Sequence, residues 1–169
     1  MQMTDLFLAE LERQADASRR ALERVPEGRP DWKPHAKSMP LGYLATLVAT
    51  MPGWVEMMVN QDALDLHPAG GQKYQMPVLQ TRRELMAALD AGVARAREVL
   101  AHTTDEHLMT PWRFAMGGKV LSEAPRHVMI RDAVFSHLAH HRGQLTVYLR
   151  LNNAPVPAIY GPSADEGNM

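Results

Sequence analysis

Three histidines within five residues carry the clearest chemistry in this chain: His137, His140 and His141, in the run Ser136-His-Leu-Ala-His-His-Arg-Gly-Gln144. His137 and His141 stand four apart, so on a helix their rings project from one face, one turn above the other. That spacing lets two imidazoles reach a single divalent ion. Val134, His137, His141, Leu145 and Tyr148 continue one stripe at steps of three and four, which points the pair towards a protein interior. Buried imidazole nitrogens need partners. A metal supplies them, and so do ordinary hydrogen bonds in a core; the spacing alone leaves both readings open. His140 lies about 60° to one side and is the weaker candidate. Arg142 and Gln144 are candidates to orient the pair, with solvated or interface roles equally open, and Gly143 would let another helix approach beside it.

Four helical patterns must position these residues. The first runs over 4–25, capped by Thr4, with Leu8, Leu11, Ala15, Ser18 and Leu22 at helical spacing. The second runs over 38–60, with Ser38 as cap, Pro40 in the first turn and a kink at Pro52-Gly53. Thr81 to Glu84 reads as a capping box that opens a third helix over 81–102, lined by Leu85, Leu89, Val93, Ala96 and Leu100. The fourth, over 125–152, carries Ile130, Val134, Leu138, Leu145 and Tyr148 on one side. Residues 61–80 and 103–124 read as irregular connections, with room for a short strand or hairpin near Gly117-Gly118. Residues 155–169 hold three prolines and two glycines and form a non-helical tail, in which Tyr160 and Asp165 are candidates to fold back over a pocket. The expected architecture is therefore all-α: one helical-bundle domain spanning 1–169.

Composition narrows the function classes. With 169 residues the chain can bury a full core without a metal or disulfide. Lys+Arg 18 against Asp+Glu 19 supplies no basic field for a phosphate backbone, so no nucleic-acid partner is expected. The absence of cysteine removes thiolate ligands and a cysteine nucleophile, and fits a reducing cytoplasm. No run of about 18 apolar residues occurs, and the start of the chain lacks a signal-peptide pattern, so no membrane partner is expected. His35 reads as a loop residue bonding locally, and His67, His102, His107 and His127 as surface or capping residues. The methionines at 51, 57 and 58 read as core filling.

The run HLAHHRGQLTVYLRLNNAPVPAIYGPSADE (137–166) resembles the C-terminal signature of the DinB-like (DinB/YfiT) family of four-helix-bundle metalloenzymes. WKPHAKSMPLGYLA, from Trp32 to Ala45, is similar to the approach to that family's second helix. The resemblance implies an up-down-down-up bundle, frequently dimeric. It also implies a nickel or zinc ion held by three histidines, two of them at the positions of His137 and His141. The third belongs to a pattern resembling L-G-x-L-A-x-H in the second helix. Here that stretch reads Leu41-Gly-Tyr-Leu-Ala-Thr-Leu47, and Leu47 cannot coordinate an ion.

Two functions follow. In relatives the ion lowers the pKa of a small thiol cofactor, so the resemblance implies a metal-dependent, thiol-linked transferase with His137 and His141 as its metal ligands and His140 as the nearest general base. The missing third ligand favours instead a metal-free module that binds a small molecule or a partner in a pocket lined by Leu47, Met51 and the two histidines. A homodimer is expected in either case, from the broad apolar stripes and from the family.

Overall fold

The computed structural model describes residues 2–167. Its helices are α1 (Met3–Leu22), α2 (Leu41–Thr50), α3 (Trp54–Asn60), α4 (Arg82–His102), α5 (Asp105–Leu108), α6 (Arg126–Met129) and α7 (His137–Leu151), with strands β1 (Ala63–Asp65), β2 (Pro111–Met116) and β3 (Lys119–Pro125). A 3-10 turn, Met51–Gly53, joins α2 to α3, and a π-helical segment, Ile130–Ser136, joins α6 to α7. α1 packs on α4, α4 on α2 and α3, α2 on α7 and α7 on α1. The stripes read from the sequence are the ones that close the core: Leu11, Leu22, Leu44, Val48, Leu89, Leu100, Ile130 and Leu145 are fully buried. A core of this kind stabilises by roughly 25 cal/mol for each Å² of apolar surface removed from water.

The helix ends differ from expectation in an instructive way. Thr4 lies inside α1, whose N-cap is Gln2. The helix's free amides are met by the Asp105 carboxylate, which accepts from Met3 N at 2.9 Å and from Thr4 N at 3.3 Å. Ser38 caps nothing: α2 starts at Leu41, after Pro40 as N-cap. Its first amides donate to the carbonyls of Trp32 and Pro30, each at 2.9 Å. That contact requires Gly42, since a Cβ there would lie 2.9 Å from the Pro30 Cβ. The Thr81–Glu84 capping box and the kink at Pro52-Gly53 are both present. At the kink Gly53 and Gly92 touch so closely that a Cβ on Gly92 would meet Gly53 N at 3.0 Å.

The all-α expectation needs correction, because the chain also forms a three-stranded sheet in the order β1-β2-β3. β2 and β3 are an antiparallel hairpin turned by Gly117 and Gly118, at φ 63° and 79°. That is the geometry in which a Gly-Gly pair suits a two-residue hairpin. β1, inside the stretch read as irregular, pairs parallel with β2. Asp65 at its end accepts from the amides of His67 and Gly117 at 2.9 and 2.8 Å, and from Gly118 at 2.6 Å, so the hairpin tip is tied to β1. These bonds hold the Asp65 carboxyl below its ordinary pKa.

A buried guanidinium docks this sheet on the helices. Arg126, 2% exposed, donates to the carbonyls of Met58 at 3.0 Å and Gln61 at 2.7 Å, to Thr110 Oγ1 at 3.0 Å, and to Asp62. Two of these acceptors are carbonyls at the C-terminal end of α3, which no helical amide satisfies. His107 adds a third contact there, its Nε2 lying 2.8 Å from the carbonyl of Val59. We expect Arg126→Ala to destabilise the fold by about 2–4 kcal/mol, because it strands buried carbonyls, and Arg126→Lys to recover only part of that loss, because an ammonium cannot fork to four acceptors. Urea unfolding of the three proteins checks this; an Arg126→Ala loss below about 1 kcal/mol would contradict the role assigned.

Candidate functional site

His137 opens α7 immediately after the π-helical segment, and its amide donates to the Asp132 carbonyl five residues back. This wider winding places Asp132 and His137 on one side, where an ideal α-helix would set them about 140° apart. Both line a cavity of about 1200 Å³ between α2, α3, the sheet and the start of α7. Residues 74–80 cross over it, with Met76 and Leu79 packed on the core. Leu47 and Met58 form part of its wall, with Phe114 and Met129 from the sheet side. Trp112, 1% exposed, also lines it, and its Nε1–H has no acceptor among the described residues.

The two predicted ligands are neighbours. The rings of His137 and His141 lie with centroids 4.4 Å apart, tilted by 44°, and Trp54 lies 6.4 Å from His137 on the cavity side. Gln144 Oε1 lies 2.8 Å from His141 Nδ1 and fixes the orientation of that ring. Burial pushes the His137 imidazole below its ordinary pKa, and the neighbouring ring of His141 lowers it further. Only His137 reaches the cavity wall; His141 is buried and does not line it. Leu47, 8% exposed, shares that wall with His137, on the helix where the family resemblance requires the third imidazole.

Other expectations are corrected here. His140 is exposed, its ring 5.1 Å from that of His141, and it does not line the cavity where a general base would be needed. Met51 is in the core and outside the cavity lining, whereas Met57, read as filler, is part of the lining. His67, read as a surface residue, is exposed but lines the cavity mouth. Gly143 is exposed with nothing near it, so it accommodates no helix within the chain. Arg142 does not orient the pair: it is 1% exposed and turns towards α1, donating to Gln14 O at 3.3 Å, Ser18 Oγ at 3.2 Å and the Tyr160 hydroxyl. Tyr160 and Asp165 do fold back, but onto Arg142 and Arg150, away from the cavity. His35 and His102 bond locally, as read, whereas His107 and His127, read as surface or capping residues, are half-buried and reach the carbonyls of Val59 and Leu108.

Among the described residues no group of three or more His, Asp or Glu side chains stands where it could share an ion. Two imidazoles and a leucine do not fit a three-histidine metal centre.

The sequence profile of the DinB superfamily matches residues 10–145, most of the chain, which therefore belongs to that superfamily. No curated protein sequence matches it significantly. Among solved structures it is similar to a DinB-like protein from Bacillus cereus, with TM-score 0.70 and 19% identity over 91% of this chain and 95% of that one. A DinB-like protein from Bacillus subtilis gives TM-score 0.65 and 15% identity over 89% and 94%. At these identities the likeness shows the fold.

Leu47 and the histidine pair together define an experiment. We expect zinc or nickel to bind the native protein weakly, Leu47→His to raise affinity at least about 100-fold, and His141→Ala to remove what binding remains. Calorimetric titration of the three proteins, without an affinity tag, measures this. Tight binding by the native chain, or no gain from Leu47→His, would show that these residues do not form the site.

Proposed function

We propose that this protein is a single-domain bundle, its helices in the up-down-down-up order of its family, that binds an apolar small molecule without needing a metal. One observation carries the reading: Leu47 and His137 face into the same large, mostly apolar cavity, so the family's third ligand position has become a hydrophobic contact. At about 1200 Å³ the cavity exceeds the range of roughly 300–1,000 Å³ common for small-molecule sites, so it has room for an extended ligand. His137 is the polar group best placed to orient that ligand. Burial and the neighbouring His141 ring hold its pKa below the ordinary imidazole value, and one ring nitrogen already bonds the Ala133 backbone, which leaves the other for a ligand.

The second reading is the metal-dependent, thiol-linked transferase that the family resemblance implies. The 4.4 Å separation of the His137 and His141 rings and the Gln144 bond to His141 favour it. The donor set opposes it, since every further position on the ion would have to be filled from outside the chain. The absence of cysteine supports a cytoplasmic protein.

Trp54 and Trp112 both line the cavity, so tryptophan emission reports its occupancy. A neutral apolar probe such as decanol should change that emission saturably, with Kd in about the micromolar range, in buffer containing a chelator. Leu47→Asp should weaken the probe at least about tenfold, because a carboxylate would be forced into an apolar wall. Binding that requires added zinc or nickel would overturn the metal-free reading.

A homodimer completes the proposal. Val147 and Leu151, 57% and 55% exposed, continue along one side of α7 beside the open Gly143 and leave an apolar strip for a second copy to cover. Light scattering coupled to size-exclusion chromatography should give twice the 18.9 kDa chain mass at micromolar concentration; a single-chain mass would refute it.

A further inference from the structure

The geometry points to a hydrophobic organic cation, an alkyl or aryl ammonium, as the ligand class of the cavity. This inference rests on the small-molecule reading above and adds the sign of the ligand's charge. Its first support is the charge of the wall. Asp31 and Asp132 line the cavity, and no lysine or arginine side chain does. Arg131 is the nearest cation in sequence. It donates to Asp132 Oδ1 at 2.9 Å, but it is largely exposed and lies outside the lining. Asp31 and Asp132 are both exposed and Asp132 is paired with Arg131, so the wall's negative charge is partly screened. An anionic headgroup would still meet two carboxylates and no cation within the cavity lining.

The second support is independent of charge. Five aromatic side chains line the same space: Tyr43, Trp54, Tyr74, Trp112 and Phe114. Aromatic faces attract ammonium groups through their quadrupoles, tryptophan most strongly, so a cation moving along this wall meets a favourable face at several points. The π-helical segment supplies the register. By turning Asp132 to the side of His137, it brings a carboxylate to the end of the cavity where Trp54 lies against that histidine. A cationic head fits there, with its hydrocarbon part running along Met57, Met58 and Phe114 towards Leu79 of the crossing segment.

The test compares three probes with the same ten-carbon chain, each below its micelle concentration: decyltrimethylammonium, decyl sulfate and decanol. Tryptophan emission and calorimetry with the native protein give the three affinities. The cation should bind at least about tenfold more tightly than the sulfate, with decanol between them. Asp132→Asn should cut the preference for cation over sulfate about threefold or more and leave decanol unchanged, and Asp31→Asn should act the same way more weakly from the rim. Rising salt should shrink the preference as well. If the sulfate binds as tightly as the cation, or if the Asp31→Asn/Asp132→Asn double variant keeps the full preference, the charge inference is overturned while the cavity reading stands. If none of the three binds, decanol included, the cavity reading itself falls.

Discussion

The cavity lies between a small sheet and the helical core, and the buried Arg126 guanidinium is the polar tie that joins the two, beside the apolar docking of Trp112. Three short strands cannot sustain themselves in water, and β3 has few buried side chains with which to dock. The C-terminal end of α3, for its part, leaves carbonyls that no helical amide can meet. One planar cation satisfies both needs, with four acceptors drawn from α3, the loop that follows it and the turn before β2. Because Arg126 also starts α6, the same contact sets the height at which the last helical run begins. The positions of Met129, Asp132 and His137 on the cavity wall follow from that anchor.

A second buried guanidinium, Arg142, performs the corresponding task at the other side of α7. It has no carboxylate in direct contact, only the Gln14 carbonyl, the Ser18 hydroxyl and the Tyr160 ring and hydroxyl, with the ring centroid 5.4 Å from its carbon. Burial accordingly lowers its pKa, and Tyr160 and Glu10 act in the opposite sense. The tail that delivers Tyr160 is itself pinned: Glu166 pairs with Arg20 and Arg24 of the first helical region, and Asp165 pairs with Arg150. The GPSADE stretch that marks the family resemblance therefore works here as a clasp between α1 and α7. Its contacts are structural, and none of its residues lines the cavity that His137 reaches.

The helices were legible in the sequence because an apolar stripe at 3.6-residue spacing survives any tertiary arrangement that has an inside. Leu85 to Leu100 and Ile130 to Tyr148 are buried where periodicity placed them. The sheet was not legible for the opposite reason. β1 is three residues long and β3 is mostly exposed, so neither shows a two-residue alternation long enough to read; only the Gly117-Gly118 turn announced the hairpin. Arg126 and Arg142 could not be found by patterning, because a charged side chain scores as a surface residue whatever its acceptors. The acceptors Asp105 at α1 and the Pro30 and Trp32 carbonyls at α2 come from outside the local window, whereas the Gln2–Asp5 capping box of α1 is local and was missed in favour of Thr4. The histidine pair was legible as a pair, since i,i+4 spacing is local. Its setting was not, because the cavity depends on distances between α2, the hairpin and residues 74–80.

The π-helical segment explains how Asp132 and the first histidine of that pair can line one cavity. A helix that kept a strict 3.6-residue period from Ile130 onward would keep one stripe throughout, and Asp132 would point away from it. Widening the turn over Ile130–Ser136 rephases the helix just before His137. Its N-terminal part then shows Asp132 and Ala133 to the cavity, and α7 resumes with Leu138, His141 and Leu145 turned to the core. His137 sits at the seam, half-buried, with the Ala133 backbone on one side, Trp54 on another and His141 beneath it. A π-helical turn is rare, and its surroundings must favour it over the α-helix. Here the surroundings are Arg126 at one end and the core side chains Val134 and Leu138 at the other. The turn that brings Asp132 and His137 onto the wall of one cavity thus lies directly after the Arg126 anchor, and it stands whether or not the position of Leu47 ever carried a metal ligand.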